Sequence, residues 1–262
     1  MNFISDQNLT NLSLIIITKN EAHDIRECLT SVAWASEVIV LDSGSTDDTV
    51  KIAREFTKHV YISKDWQGFG VQKNRALEYA TKDWILSIDA DERVTKELRT
   101  EIEKVIAQPN SKSAFRIPRS SNYCGRFMKH SGWSPDYVVR LFRKESGNFN
   151  NNIVHESIVI NGKIGTLKHS IVHYAFSDLE EVLDKINRYS SAGAVQKLNQ
   201  GKRSTLGKAI RHGLWAFMRT FFIQAGFLDG REGFMLAISN AEGVYYRYLK
   251  LMYLQEKIQI NN

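Results

Sequence analysis

The chain has 262 residues, of which 43% are hydrophobic, and it carries a formal net charge of +6. This length and composition are enough to bury a core, and they fit one large domain, or one domain with an extension, built around a single active site. The two cysteines, Cys28 and Cys124, exclude a disulfide framework, and neither has the spacing of a structural zinc site, so a reducing cytoplasm is expected.

The ends of the chain and its charge distribution bear on localisation. The first seven residues lack the basic and then apolar pattern of a signal peptide, so export is not expected. The nearest approach to a membrane-spanning run, residues 214–228, is interrupted by Arg219 and Gln224. From Lys185 onward there are twelve Lys/Arg and four Asp/Glu, which gives +8 and leaves −2 for the rest. The positive charge therefore belongs to the C-terminal part.

In its first half the chain alternates short apolar runs with helical patterns. Strands are predicted over residues 12–18, 37–41, 59–62 and 84–88, and helices over residues 24–32, 46–56, 70–80 and 95–107. Continuous apolar runs of this length are typical of parallel strands buried on both faces. Ligands of open α/β sheets bind beyond the carboxyl ends of the strands, so Thr18, Asp42 and Asp89 are expected to converge.

The pattern changes in the second half. Further short strands are predicted over residues 114–118, 137–142, 153–160 and 170–174, with Gly/Asn-rich loops that indicate mixed or antiparallel pairing. From Leu179 onward the apolar spacing is helical. We therefore expect a domain that carries the polar strand ends over residues 1–178 and a helical region over residues 179–262.

The segment Asp89-Ala90-Asp91 carries the most chemical information. Two carboxylates two positions apart at the end of a buried strand offer the oxygen ligands that Mg²⁺ or Mn²⁺ prefer, and a diphosphate can complete the coordination shell. Acidic pairs also cap helices, and in haloacid-dehalogenase-type phosphatases such a pair ends the first strand. Here it ends the fourth predicted strand, which favours a metal and diphosphate site.

Four motifs in order resemble a known family. They are Ile17-Thr18-Lys19-Asn20-Glu21, Asp42-Ser43-Gly44-Ser45-Thr46-Asp47, Gln72-Lys73-Asn74-Arg75-Ala76 and Asp89-Ala90-Asp91. As a set they resemble the family 2 glycosyltransferases, which implies an α/β GT-A nucleotide-diphospho-sugar transferase fold with a mixed, largely parallel sheet and a C-terminal helical region. Residues 135–143, 154–156 and 173–174 are similar to the branch of lipooligosaccharide and lipopolysaccharide core β-1,4-glucosyltransferases.

The resemblance also implies roles for residues of the donor site. Thr18 and Asp42 would hold the uridine, with Asp42 accepting from the uracil N–H, and Lys73 would lie near the base. Glu21 and Asn74 are further donor-site candidates. Strand-end turn residues and solvated helix residues of these types are also common without any ligand.

Metal binding and proton transfer are assigned in the same way. Asp89 would face the ribose or the metal shell, and Asp91 would bind the cation, Mn²⁺ or Mg²⁺, that bridges the donor phosphates. Glu156 would be the catalytic base, with Asp136 as the alternate base. His173 would close the metal shell, although a lone histidine after an apolar run is also typical of a hydrogen-bonded core residue.

Two arginines and the basic tail complete the predicted contacts. Arg140 and Arg143 are candidates for a phosphate of donor or acceptor, and their spacing of three lets only one of them readily reach it. The tail places basic residues among aromatic and aliphatic ones, which favours a helix lying on an anionic leaflet or else a packed helix with a solvated basic face. The basic residues are Lys202, Arg203, Lys208, Arg211 and Arg219.

The resemblance as a whole implies an inverting transfer of a hexose, with glucose favoured, from a UDP-sugar to an inner-core heptose of lipooligosaccharide or lipopolysaccharide. Another glycolipid or polysaccharide acceptor is the nearest alternative. A non-catalytic nucleotide-sugar or nucleic-acid binding module is the alternative from another class, but carboxylates around the site would repel a nucleic-acid backbone. The helical region over residues 179–262 would then lie on the acceptor side and offer a membrane contact. The expected location is cytoplasmic and peripheral, at the inner face of the cytoplasmic membrane.

Overall fold

The computed structural model describes residues 11–108, 112–150 and 157–260, which form two compact units. The first unit contains the described residues up to Arg119 and those of Tyr137–His173. The second contains Ser120–Asp136 and the described residues from Tyr174 onward. The sequence suggested one division, at residue 178, whereas the structure also assigns the internal segment Ser120–Asp136 to the unit of the C-terminal helices.

Strands and helices alternate through the first unit, and helices dominate the second. The strands are β1 Leu12–Thr18, β2 Glu37–Asp42, β3 Val60–Ile62, β4 Trp84–Asp89, β5 Glu92–Arg93, β6 Ala114–Tyr123, β7 Arg126–Phe127, β8 Asp136–Arg143, β9 Gly147–Phe149, β10 Ile158–Ile160, β11 Ile164–Thr166 and β12 Ile171–Phe176. The helices are α1 Ile25–Val32, α2 Thr49–Ala53, α3 Phe69–Tyr79, α4 Lys96–Ile106, α5 Leu179–Asn199, α6 Leu206–Met218 and α7 Gly230–Ile260. A predicted strand over residues 153–160 lies partly outside the described residues.

The main sheet has the order β3-β2-β1-β4-β8-β6-β12-β5. Its first four strands are parallel, and β8 then pairs antiparallel to β4, so the predicted mixed, largely parallel sheet is confirmed. The central strand β1 alternates its side chains between two cores: Leu14 and Ile16 face the helices α1 and α4, whereas Ile15 packs with residues of α3. Helices on both faces explain why this strand is apolar throughout.

The strand register brings the predicted polar strand ends together. Thr18 of β1 lies opposite Asp42 of β2, and Ile17 lies opposite Asp89 of β4. Because all three strands are parallel, their carboxyl ends share one edge of the sheet. The expected convergence of Thr18, Asp42 and Asp89 is therefore present.

In the second unit, α6 packs closely along α7. The buried residues of α6 are small: Ala209, Gly213 and Ala216. A methyl group built on Gly213 would lie 3.1 Å from the Cβ atom of Tyr245, which is tighter than ordinary van der Waals contact. The two helix backbones therefore approach through a stripe of small side chains. Within the described residues no helix is long and apolar enough to cross a membrane.

A buried carboxylate links the internal segment of this unit to the turn before α7. Asp229 is 1% exposed and accepts hydrogen bonds from the backbone N–H groups of Lys129 (3.1 Å) and His130 (2.9 Å) and from Ser131 Oγ (3.0 Å). Burial raises the pKa of the Asp229 carboxyl, but these hydrogen bonds outweigh it and hold the pKa below its usual value. The carboxylate is thus the anchor of residues 129–131.

Asp229→Ala is expected to lower the free energy of unfolding at neutral pH by about 2–3 kcal/mol, because several buried donors lose their acceptor. Since the folded pKa lies below the unfolded value of about 3.9, the stabilisation is present above that pH and is lost as the pH falls through the folded pKa. The difference in the free energy of unfolding between the Asp229 variant and the wild type should therefore become smaller at acidic pH. Urea unfolding followed by tryptophan fluorescence over a descending pH series measures it.

Asp184→Ala is the matched control, because Asp184 is an exposed aspartate of α5 in the same unit. We expect this substitution to change the free energy of unfolding by less than about 0.5 kcal/mol. An Asp229 variant as stable as the Asp184 variant would contradict the anchoring role.

Candidate active site

The loops that follow β1 and β2 are hydrogen-bonded to each other at the carboxyl edge of the sheet. The backbone N–H of Asn20 donates to Ser45 Oγ (2.8 Å), and that of Thr46 donates to Asn20 Oδ1 (2.8 Å). The N–H of Ala22 donates to Asp47 Oδ2 (3.1 Å). Asn20 adopts a left-handed backbone conformation with φ 58°, which asparagine tolerates better than most residues. Two of the motifs noted in the sequence therefore build one rigid double loop.

Asp42 organises the second of these loops. Its carboxylate is buried and accepts from the N–H groups of Gly44 and Ser45, both at 2.8 Å, and from Thr18 Oγ1 at 3.2 Å. The hydroxyl of Ser45 also donates to it. Gly44 has φ +89°, a left-handed conformation that favours glycine. Thr18 and Asp42 are thus brought together as predicted, while their contact with a nucleoside stays a prediction.

Around Asp89 two cations and a second carboxylate form a network. Lys73 Nζ lies 3.0 Å from Asp89 Oδ1, and Arg140 Nη2 donates to Asp89 Oδ2 at 2.5 Å. The same Arg140 nitrogen donates to Glu92 Oε1 at 2.7 Å, and the N–H of Asp89 donates to Glu92 Oε2 at 2.9 Å. Arg140 therefore bridges two carboxylates that are three residues apart in sequence.

The network fixes the charge state of Asp89. Burial raises the pKa of the Asp89 carboxyl, but the charges of Arg140 and Lys73 outweigh it and hold the pKa well below its usual range. Glu92 is fully buried, so desolvation raises the pKa of its carboxyl and the guanidinium of Arg140 opposes that rise. Asp89 keeps 36% of its side chain exposed at the edge of the sheet. It therefore presents an ionised and firmly oriented carboxylate.

The next acid, Asp91, lies in the tight turn between β4 and β5. Strand β12 pairs with β5 and sets His173 opposite Glu92, which brings His173 Nε2 to 3.3 Å from Asp91 Oδ2. The other oxygen, Asp91 Oδ1, is buried and has no hydrogen-bond partner among the described residues. An unsatisfied carboxylate oxygen beside an imidazole fits a divalent cation. Within the described part of the chain no group of three or more His, Cys, Asp or Glu is arranged to hold a metal ion.

Two other donor-site candidates have clear neighbours. Asn74 uses both ends of its amide on the backbone of Phe149: Nδ2 donates to the carbonyl at 2.8 Å, and Oδ1 accepts from the N–H at 2.9 Å. The ring of Phe149 lies 5.8 Å from Lys73 Nζ, so Asn74 positions the strand that flanks this lysine. The backbone carbonyl of Glu21 accepts hydrogen bonds from the N–H groups of Asp24 and Ile25, which holds the start of α1.

Arg140 and Arg143 are separated by the structure. Arg143 pairs with Trp84 at the amino end of β4, and its guanidinium lies 4.7 Å from the centre of that indole ring. Strand β4 ends five residues later at Asp89, roughly 17 Å away for an extended chain. Arg143 therefore does not join the network, whereas Arg140 lies inside it between two carboxylates and its contact with a phosphate stays a prediction.

Of the two candidate catalytic bases, the structure describes only one. Asp136 is the first residue of β8 and belongs to the second unit. The predicted catalytic base, Glu156, lies outside the described residues. Both roles stay predictions.

Two members of the network were missed by sequence reasoning, Glu92 and Arg119. Arg119 Nη1 lies 4.0 Å from Glu92 Oε1. A signal for Glu92 was present in the sequence, because Arg140 stands in the otherwise apolar run Val138–Phe142, and a cation inside a buried strand requires a buried acidic partner. No comparable local signal marked Arg119.

Comparisons with known proteins agree with this geometry. The family model described as Glycosyl transferase family 2 matches residues 13–164. An uncharacterized glycosyltransferase of Rickettsia typhi is 36% identical over 261 residues, covering 95% of this chain and 88% of that protein. The lipopolysaccharide core biosynthesis glycosyltransferase LpsC of Rhizobium meliloti is 29% identical over 255 residues, covering 90% of this chain and 93% of that protein.

The fold is shared with solved structures. One is the mannosyltransferase PcManGT from Pyrobaculum calidifontis, in complex with GDP-Man and Mn²⁺, with a TM-score of 0.54 at 15% identity, covering 95% of this chain and 89% of that one. The predicted GT-A fold is confirmed, and the family model and the curated relatives identify the chain as a glycosyltransferase. Because the family model matches more than half of the chain and the relative from R. typhi is similar along nearly all of it, the protein belongs to glycosyl transferase family 2.

Proposed function

We propose that the protein transfers a hexose from a UDP-sugar to a glycolipid, with inversion at the anomeric carbon and with the help of a divalent cation. The observation that carries the proposal is the unsatisfied oxygen of Asp91 beside His173, next to the ionised carboxylate of Asp89 at the carboxyl edge of the sheet. A nucleoside diphosphate with its cation is the ligand that this combination suits.

The donor would lie along the strand ends. Thr18 and Asp42 would hold the uridine, with Lys73 near the base and Asp89 facing the ribose or the metal shell. Lys73 and Arg140 leave Asp89 ionised and oriented before any ligand arrives, so little reorganisation is required on binding.

Asp91 and His173 would hold the cation, Mn²⁺ or Mg²⁺. When bound, the cation stabilises the negative charge of the departing nucleoside diphosphate. A neutral imidazole is a good ligand for Mn²⁺, and an ionised carboxylate is a good ligand for either ion. The protein contributes an acid and a histidine already within 3.3 Å of each other.

Proton transfer would fall to Glu156, with Asp136 as the alternate base. In a single displacement the acceptor oxygen attacks the anomeric carbon while the bond to the diphosphate breaks, and one carboxylate on the acceptor side takes the hydroxyl proton. A single base suffices for inversion, and the resemblance to inverting transferases supports Glu156.

An inner-core heptose of lipooligosaccharide or lipopolysaccharide is the proposed acceptor, and glucose the proposed sugar. The similarity to LpsC, whose name places it in lipopolysaccharide core biosynthesis, supports the acceptor. Another glycolipid or polysaccharide acceptor is the alternative. The enzyme would act at the inner, cytoplasmic face of the membrane, and the +8 charge from Lys185 onward supports a peripheral contact with an anionic surface.

A donor screen tests the function. With core oligosaccharide as acceptor, we expect nucleotide release to be fastest with UDP-glucose and to stop when EDTA removes the cation. UDP-galactose, UDP-N-acetylglucosamine and GDP-mannose are the comparison donors. Release that prefers GDP-mannose would contradict the donor assignment, and donor binding without any release would favour a non-catalytic binding module.

Asp91→Asn is expected to lower kcat by at least about 100-fold at saturating Mn²⁺, because a neutral amide is a poor ligand and the charge stabilisation by the cation is lost. The thermal unfolding midpoint should stay close to that of the wild type. Asp48→Asn is the matched control, since Asp48 is a largely exposed aspartate at the start of α2. Equal loss of activity in both variants would remove Asp91 from the proposed site.

Glu156→Gln is expected to lower kcat by about 10²–10⁴-fold, the usual contribution of a general base, while donor affinity changes little. Asp136→Asn should retain most of the activity unless Asp136 is the base. NMR of the product from an α-linked UDP-sugar should show a β linkage. An α-linked product would contradict the single displacement and with it the role of Glu156.

A further inference from the structure

Helix α6 buries its small residues and exposes its large ones. Its buried face consists of Ala209, Gly213 and Ala216. Its apolar exposed residues, with exposed fractions of 46–64%, are Leu206, Ile210, Leu214, Trp215 and Met218. An amphipathic helix of a water-soluble domain normally has the reverse arrangement, with its large apolar residues facing the core. The outward face of α6 is therefore suited to an apolar environment.

The exposed apolar surface continues past the end of α6. Two short helical turns, Arg219–Ile223 and Gly226–Asp229, connect α6 to α7. They and the start of α7 expose Phe222, Ile223, Phe227, Leu228, Phe234 and Ile238 at 39–65%. Neighbouring phenylalanine rings connect this set, with Phe221 lying 5.1 Å from Phe222, 6.3 Å from Phe227 and 5.5 Å from Phe234. We call these eleven exposed residues of α6, the two turns and α7 the apolar face.

The charged residues in the segment that carries the apolar face are mostly basic. Residues 201–240 contain six basic residues: Lys202, Arg203, Lys208, Arg211, Arg219 and Arg231. The same stretch contains two acids, Asp229 and Glu232, and both are buried, at 1% and 8% exposure. Asp229 accepts hydrogen bonds from residues 129–131, and Glu232 accepts one from Arg231. This stretch therefore presents no exposed carboxylate beside its apolar residues.

We propose that the apolar face inserts into the boundary between headgroups and acyl chains of an anionic bilayer, with the basic residues on the lipid phosphates. The proposal rests on the glycolipid acceptor proposed above and names the surface that would bring the enzyme to it. An apolar face of this extent marks an interaction surface, and the basic residues of the same segment complement an anionic leaflet. A second copy of the chain fits less well, because two such faces would bring like charges together.

Vesicle partitioning of two charge-matched variants tests the proposal. Leu214→Glu with Ile223→Glu changes two residues of the apolar face that are 64% and 65% exposed, so the fold should tolerate both. Leu183→Glu with Val195→Glu adds the same charge on α5, at positions 53% and 47% exposed in the same unit. The first variant should partition at least about 10-fold less than the wild type into vesicles of phosphatidylcholine and phosphatidylglycerol, and the second within about twofold of it. Equal losses would overturn the proposal, since charge alone would then explain binding.

The salt dependence of vesicle partitioning distinguishes apolar insertion from electrostatic attraction to the membrane surface. The Debye length falls from about 10 Å at 0.1 M to about 3 Å at 1 M salt, which screens the basic residues but not the burial of apolar surface. Wild-type partitioning should fall with salt and yet remain above that of the Leu214/Ile223 variant. Complete release of the wild type at 1 M salt would overturn insertion.

The fluorescence of Trp215 reports how deeply α6 lies in the bilayer. It is 57% exposed, and phosphatidylcholine brominated along its acyl chains should quench its fluorescence when such lipid is mixed into the anionic vesicles. The quenched fraction should be lost in Trp215→Phe, although four other tryptophans remain. Equal quenching in the wild type and this variant would contradict insertion at α6.

Transfer to delipidated core oligosaccharide distinguishes failure of this proposal from failure of the proposed function. Both charge variants should keep wild-type rates with this acceptor, because neither changes a residue of the donor site. If the wild type transfers the sugar but does not bind vesicles, the membrane proposal is wrong and the proposed function stands. If it binds vesicles but does not transfer the sugar, the proposed function is wrong and the membrane proposal stands. Light scattering without lipid supplies a further outcome: a wild-type dimer that becomes a monomer in the Leu214/Ile223 variant, with no vesicle binding, would assign the face to self-association.

Discussion

A single guanidinium, that of Arg140, sets the arrangement of the acids at the end of β4. It bridges Asp89 and Glu92, which are joined a second time by the hydrogen bond from the N–H of Asp89 to Glu92. Removing one partner from a buried ion pair costs about 3–5 kcal/mol, because the remaining charge stays uncompensated. Glu92 is fully buried, and its two oxygens accept from Arg140 and from the N–H of Asp89. The turn that carries Asp91 is held between these two fixed acids.

The pairing of β5 with β12 extends this constraint to His173. Because Glu92 belongs to β5, fixing Glu92 also fixes the short strand on which β12 pairs, and the register places His173 opposite it. Asp91 and His173 come from distant segments of the chain, and the pairing of β12 with β5 brings them to 3.3 Å of each other. The network thus supports Asp91 and His173, the proposed cation ligands, without including either of them.

Much of this could be predicted from the sequence, and the limit has a physical cause. Strands β1, β2 and β4 are continuous apolar runs, and their parallel pairing follows from the helices between them. The convergence of Thr18, Asp42 and Asp89 could therefore be predicted from the sequence. The insertion of β8 beside β4 depends on contacts between distant segments, which leave no local period in the sequence. For the same reason the separation of Arg143 from the network and the anchoring of residues 129–131 by Asp229 became visible only in the structure.

The apolar residues of the C-terminal helices show how packing changes the meaning of a pattern. Their helical spacing in sequence fits a core-packing helix and a membrane-surface helix equally well, because both have one apolar stripe. In the structure α6 packs on α7 at Gly213, whose lack of a side chain lets the two helix backbones approach closely. Once a helix packs through glycine and alanine, its larger residues are directed away from that contact. Leu214 and Trp215 are exposed for this reason, and their exposure follows from the packing of α6 on α7 itself.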